Sequence, residues 1–406
     1  MHMHKERLFT KNFLVVFTID FLLALVYFTL MVTVAQYAVD EFHATTSQAG
    51  LVTGIFVLGI TVGRFVVGSI IDNFGHKKIL FIGIIFYIVA TLLYFSINNL
   101  PFLLFLRFLH GISLGFTSTA TATLVAKILP ENRRGEGIGI YSLALIISNA
   151  IGPFLGLFLI NNASFNVMFI CCLIFGFISL FLSFFLSVPP QQVAKEKNTG
   201  IKEGNVSKFI DLNVLPISIM ILIVGFAYST IPAFISFFAN ELQLMDVAGF
   251  FFIVYAVVII LSRPIMGRLF DRRGANLVIY PSLLIFAIGM FLLSQVNVTW
   301  TFLLAGVLLG FGYGNFLSTG QTLAVKLTPP NRIGIATSTY LIFLNLGFGL
   351  GPYLAGFLIP YTGYRGLFIT LGCIILACLI LYYFIYGKKE ITKGAVTTIS
   401  FDKNGM

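Results

Sequence analysis

Twelve apolar runs of about 20 residues or more, separated by short polar stretches, constrain this chain more than any other feature. They lie near 13–38, 48–71, 79–97, 101–127, 138–160, 166–188, 213–239, 248–270, 277–295, 300–325, 335–360 and 366–386. A hydrocarbon core about 30 Å thick takes roughly 20 helical residues to cross. The runs are continuous rather than alternating, which disfavours a β-barrel. Only 10% of the residues are charged, against about 25% in a soluble chain. That is too little charge to cover a water-exposed surface. The first run is too long for the apolar part of a signal peptide and has no small-residue cleavage site after it, so it reads as a retained helix. The expected fold is an all-α integral membrane protein with twelve transmembrane helices.

The net charge of +10 would suggest a nucleic-acid surface in a soluble protein. Here topology accounts for it. The N-terminal stretch, the loops after even-numbered runs and the C-terminal tail together hold 21 of the 25 Lys and Arg residues. Arg365 alone sits in a loop on the other side, and Arg64, Arg107 and Arg263 fall inside runs. By the positive-inside rule both termini face the cytoplasm of a multi-pass cell-membrane protein. The longest connection, 189–212, divides an N-terminal half (1–188) from a C-terminal half (213–387), followed by a tail (388–406). Cys171, Cys172, Cys373 and Cys378 all lie in apolar runs and read as small apolar filler rather than a disulfide or zinc framework. The five histidines have no ligand spacing, and no phosphate-binding Gly-Lys loop occurs, so neither a metal nor an ATP site is expected.

The two halves repeat at one constant offset of 199 residues. Arg64, Gly68, Asp72 and Gly75 map to Arg263, Gly267, Asp271 and Gly274. Gly111 and Gly115 map to Gly310 and Gly314, Tyr141 to Tyr340, and Gly152-Pro153 to Gly351-Pro352. A gapless match of this kind implies two parallel six-helix units. Such repeats, related by an axis along the membrane normal, are an architecture of secondary transporters, with the substrate near the midplane.

The stretch Gly68-Ser-Ile-Ile-Asp72-Asn-Phe-Gly75, repeated as Gly267-Arg-Leu-Phe-Asp271-Arg-Arg-Gly274, reads as a tight loop. Gly68 is expected to let helices approach, Asp72 to cap or pair across a helix end, and Gly75 to turn with positive φ. The pattern resembles the signature loop of the major facilitator superfamily, and the resemblance extends over about 13–387. It implies that Asp72 and Asp271 belong to a charge network that latches the halves in one conformation. Asn73 stands where the family usually has a basic residue. Arg107-Phe-Leu-His110-Gly111 resembles the fourth-span pattern of the drug–proton antiporter branch, which implies a part in proton coupling for Arg107. His110 lies three residues on, on roughly the same helix face, and reads either as a second proton-coupling residue or as a hydrogen-bonded interior histidine. Gly152-Pro153-Phe-Leu-Gly156 resembles the fifth-span motif of antiporters, with Ser148 and Leu157 at places where the family has glycine.

A charge inside a span is a functional hypothesis by default. Asp20 is the only carboxylate well inside one, about 12 Å deep at roughly 1.5 Å per residue; Arg64 comes out at the same depth. Asp20 reads either as the coupling or substrate carboxylate or as the structural partner of Arg64. Arg64 has a repeat twin and Asp20 does not. Tyr27, Gln36, Tyr141, Asn149, Tyr228, Asn315 and Asn345 are candidate cavity residues, each alternatively an interhelical hydrogen bond. The expectation is a monomeric, proton-coupled antiporter that exports small amphipathic molecules by alternating access, without a cofactor. A nutrient symporter and a dedicated exporter of one metabolite such as a metallophore are the alternatives. An enzyme would need clustered acids, bases or nucleophiles, which the chain lacks.

Overall fold

The computed structural model describes residues 8–130, 133–187, 211–329 and 332–388. Most of the 189–212 connection and the tail beyond Lys388 lie outside the described residues. The described chain forms twelve helices long and apolar enough to cross a membrane. They are α1 (Lys11–Phe42), α2 (Thr46–Phe74), α3 (His76–Leu92), α4 (Leu100–Ile128), α5 (Arg134–Asn162), α6 (Phe165–Phe184), α7 (Leu215–Glu241), α8 (Met245–Arg273), α9 (Asn276–Ser294), α10 (Thr299–Lys326), α11 (Ile333–Gly356) and α12 (Ile359–Tyr382). The third span closes with a 3₁₀ turn over Leu93–Ser96. Gly363, at φ 65°, breaks the regular backbone of α12.

Polar residues at the run edges set the boundaries. The side chain of Thr10 accepts the Phe13 N–H at 3.2 Å. Thr45 and Gln48 form a reciprocal capping box at the start of α2. Asn99 caps α4 just ahead of Pro101, and Ser164 caps α6. Gly75 and Gly274, at φ 86° and 87°, make the sharp turns from α2 to α3 and from α8 to α9. Only a residue without Cβ adopts that backbone at little cost.

The described residues divide into two compact units. The first takes its residues from Met1–Ile201, Thr230–Ile253 and Pro352–Phe357; the second from Lys202–Ser229, Val254–Gly351 and Leu358–Met406. The first unit therefore joins the six N-terminal helices to the adjoining ends of α7, α8 and α11. In it Thr46 donates to the Gly356 carbonyl at 2.6 Å, Ser47 to the Tyr353 carbonyl at 3.2 Å and Ser236 to the Val32 carbonyl at 3.4 Å. Asn161 donates to Asp246 at 3.0 Å, and the Phe154 and Phe250 rings meet edge to face at 5.2 Å.

Each unit is held by small residues where helices cross. A Cβ built at Gly111 would strike the Phe56 carbonyl oxygen, and one at Gly310 the Tyr255 carbonyl oxygen. One at Gly115 would meet the Ile60 carbonyl, and one at Gly314 the Ile259 side chain. These partners are themselves 199 residues apart, so the repeat seen in the sequence is also a repeat of contacts. Dispersion between closely approaching backbones holds helices together where lipid removes any hydrophobic drive.

Candidate functional site

Three helices of the first unit bring polar groups to Asp20. Thr121 of α4 donates its hydroxyl to Asp20 Oδ1 at 2.9 Å. Tyr141 of α5 donates to Thr121 Oγ1 at 3.0 Å and so reaches Asp20 through that hydroxyl. Arg64 of α2 acts on the Asp20 charge through space, and the described ion pairs include none between the two. Glycines set this geometry. A Cβ at Gly115 would sit 2.9 Å from the Arg64 nitrogen, so α2 and α4 lie nearly backbone to backbone beside Arg64. On the other side, a Cβ at Gly152 would be 2.7 Å from Phe28 Cβ, and one at Gly156 2.8 Å from the Thr29 carbonyl oxygen. Thr29 donates to the Gly152 carbonyl at 3.1 Å and Ser148 to the Phe21 carbonyl at 2.8 Å. Gly152, Pro153 and Gly156 thus form the seam that holds α5, and with it Tyr141, along α1.

The second unit keeps the scaffold without the charge. Tyr340 corresponds to Tyr141, and its hydroxyl donates to the Leu317 carbonyl at 3.1 Å. A Cβ at Gly320, the counterpart of Thr121, would lie 2.5 Å from that hydroxyl oxygen. Ile219 stands where Asp20 would be. The carboxylate and its threonine donor belong to one unit alone.

Arg107 and His110 belong to a separate buried cluster. Arg107 is completely buried. Its Nε donates to the Val52 carbonyl at 3.1 Å and its Nη1 to the Tyr94 hydroxyl at 3.2 Å, while the guanidinium carbon lies 4.2 Å from the Phe56 ring centroid. Its Nη2 has no hydrogen-bond partner. His110 Nδ1 is 3.3 Å from the same Tyr94 hydroxyl and Nε2 is 3.4 Å from Thr91 Oγ1. Tyr94 thus joins the two residues of the fourth-span motif, and no described carboxylate pairs with Arg107.

The signature loops differ from the expected packing in one respect. A Cβ at Gly68 or Gly267 would meet nothing within 4 Å, so neither glycine serves a helix contact in this conformation. The side chain of Asp72 lies outside the described residues. Asp271 pairs with Lys326 of α10 at 3.6 Å with both side chains largely exposed, and the Lys326 ammonium also lies 4.0 Å from the Phe270 ring centroid.

The other candidates divide between internal packing and partly open positions. Asn315 is buried and donates to Ser262 Oγ at 3.0 Å, so it joins α10 to α8 rather than lining open space. Tyr228 is also buried; its ring lies parallel to Tyr313 at 3.9 Å and near Tyr255 at 5.5 Å. Its flat surface is covered by protein. Tyr27 is half-buried and stacks on Phe56 at 5.1 Å. Gln36 is half-buried, and its Oε1 has no hydrogen-bond partner. Asn149 and Asn345 are half-buried, with no described hydrogen bond. Thr121, Tyr94 and Phe56 escape a reading of the sequence. Thr121 alone has a local signal, as the last of the hydroxyls Ser113, Thr117 and Thr121, spaced four apart on one buried helix face. No group of three His, Cys, Asp or Glu among the described residues could hold a metal ion.

Comparison with known proteins agrees with this architecture. The sequence profile of the Major Facilitator Superfamily matches residues 16–245 and 217–400. An uncharacterized MFS-type transporter of Methanocaldococcus jannaschii is 26% identical over 341 residues, covering 80% of this chain and 85% of that protein. The multi-drug resistance efflux pump PmrA of Streptococcus pneumoniae is 25% identical over 338 residues, covering 82% of this chain and 84% of the pump. The riboflavin transporter RibZ of Clostridioides difficile is 22% identical over 365 residues, covering 77% and 80%. Among solved structures, a bacterial homologue of the human lysosomal transporter Spinster, inward-facing and unoccupied, aligns with a TM-score of 0.76 at 15% identity, over 92% of this chain and 96% of that one. That likeness concerns the fold.

Proposed function

The chain belongs to the major facilitator superfamily of multi-pass membrane transporters, and on that premise we propose that it is a proton-coupled antiporter exporting small amphipathic molecules across the cell membrane, with both termini in the cytoplasm. The observation that carries this reading is Asp20. It is a carboxylate deep in a span, hydrogen-bonded by Thr121, which in turn accepts from Tyr141, with the Arg64 charge acting on it from α2. A group of this kind gains or loses a proton when its neighbours move. The counterpart position, Ile219, cannot.

In the cycle, Asp20 releases its proton when the cavity faces the cytoplasm and takes one up from outside. Arg107 supports coupling through the Tyr94–His110 cluster. The contacts of Thr46 and Ser47 with α11, of Asn161 with α8, and of Ser236 on α7 with Val32 of α1 form the seal on the outer side that breaks for release. The signature loops, through Gly68, Asp72, Gly75, Gly267, Asp271 and Gly274, latch the alternate state. Export is supported by the antiporter-type seam at Gly152 and Pro153 and by the resemblance to PmrA.

Uptake of one nutrient is the second reading, and the resemblance to RibZ is what favours it. An efflux-deficient bacterial host expressing the chain separates the two. Export predicts protonophore-sensitive tolerance of cationic dyes or antibiotics. Unchanged tolerance across the panel, together with riboflavin-dependent growth rescue of an auxotroph, would replace export with uptake.

A further inference from the structure

Resting on the reading of Asp20 as the coupling carboxylate, we propose that Thr121 is the positioning residue that sets its proton affinity and passes its protonation state to α4. The Thr121 hydroxyl has one proton and three acceptors in range. These are Asp20 Oδ1 at 2.9 Å, the Thr117 carbonyl at 3.0 Å and the Ser118 carbonyl at 3.1 Å. It can serve one at a time. Its oxygen also accepts from Tyr141 at 3.0 Å, and a hydroxyl oxygen has room for a second donor.

Two arrangements therefore satisfy every group. With Asp20 ionised, Thr121 donates to the carboxylate and accepts from Tyr141. When a proton adds to the carboxylate, the new Asp20 O–H donates to Thr121 Oγ1, and the threonine proton turns to the Thr117 or Ser118 carbonyl. No bond other than the carboxyl O–H forms, and no other proton leaves or arrives. Donation from a threonine to the carbonyl one turn back bends a transmembrane helix slightly, so the proton on Asp20 is felt in α4. Thr121 is fully buried, and Asp20 and Tyr141 beside it are half-buried. The titratable and charged groups acting on Asp20 from the neighbouring helices are Arg64 of α2 and Tyr141 of α5. The second unit isolates the function of the pair. Tyr340 keeps the place of Tyr141, yet Gly320 replaces Thr121 where Ile219 replaces Asp20. The hydroxyl is thus absent in the unit that lacks the carboxylate, although its scaffold is retained.

Infrared difference spectroscopy of the full-length chain in lipid nanodiscs, titrated with acid and without substrate, tests this. The wild type should show the carbonyl-stretch band of one protonated intramembrane carboxyl, and Asp20→Asn should lack it. Thr121→Val removes the hydroxyl at nearly constant volume. It should move the band's midpoint to higher pH by about one unit, a tenfold change in proton affinity, because the ionised form loses a donor. Thr121→Ser should restore the wild-type midpoint, which a purely volumetric role would not do. Tyr141→Phe should shift it in the same direction by less. A midpoint unmoved in Thr121→Val, with the band still absent in Asp20→Asn, overturns the role of Thr121 and leaves Asp20 titrating. A band that persists unchanged in Asp20→Asn overturns both.

Discussion

Replacing Arg107 with methionine separates a residue kept for function from one kept for stability. Arg107 makes two hydrogen bonds from a charged donor, to Val52 and Tyr94, and one face contact with Phe56. Each such hydrogen bond contributes about 1.5–3 kcal/mol, and a desolvated cation–ring contact about 2 kcal/mol. Against these stands the withdrawal of a guanidinium from water, several kcal/mol for a single ion. No described carboxylate offsets that cost, and Nη2 makes no bond at all. The two sides are of the same order. Methionine fills much of the same volume and leaves no orphan: Tyr94 retains His110 at 3.3 Å, and the Val52 carbonyl keeps its place in the α2 ladder. The substitution should therefore change folding stability by no more than about 2 kcal/mol in either direction. Thermal unfolding in detergent should register little, while gradient-driven transport in vesicles should be lost. A large fall in stability with coupling intact would refute the reasoning and make Arg107 a structural residue.

Four further outcomes follow. Gly115→Ala sets a methyl 2.9 Å from the Arg64 nitrogen and from Gly63 Cα; backbone cannot move aside as a side chain can, so thermal unfolding should show a loss of about 1–3 kcal/mol. Gly68→Ala meets nothing within 4 Å and should leave unfolding unchanged while slowing turnover; normal turnover would remove Gly68 from the latch. Asp271→Ala breaks an exposed pair with Lys326, worth at most about 1 kcal/mol, and should lower turnover with substrate binding retained; weak binding with normal cycling would contradict the latch role. A reporter active only in the cytoplasm, fused after Lys389, should be active, and silence there would reverse the proposed orientation.

Much of the fold is legible because its causes are local. Each span is a continuous apolar run, and Thr10, Thr45, Asn99 and Ser164 mark their own helix starts. The 199-residue offset is written in glycines whose partners, such as Phe56 and Tyr255, keep the same spacing. Asp20 and Arg107 stand out in the sequence because a charge in a span is rare. What surrounds them does not stand out. Thr121 and Tyr94 are ordinary residues for a membrane helix, and their importance comes from which helix crosses which, at glycines far from them in sequence. Asn315 and Tyr228 are as polar as any cavity residue, yet a partner on a neighbouring helix takes up each of them. Gly68 shows a different limit: the motif suggests a close helix approach there, yet a Cβ at that position would meet nothing within 4 Å.

The central claim, that Asp20 couples transport to protons, is met most directly in proteoliposomes with an imposed pH gradient. Wild type and Asp20→Asn would be compared with ethidium and riboflavin as probes. Wild type is expected to accumulate at least one of the two against its gradient, and a protonophore to abolish this. Asp20→Asn should retain exchange of the same probe at equilibrium while losing accumulation. Accumulation by Asp20→Asn equal to that of the wild type would contradict the account and leave Asp20 as the structural neighbour of Arg64.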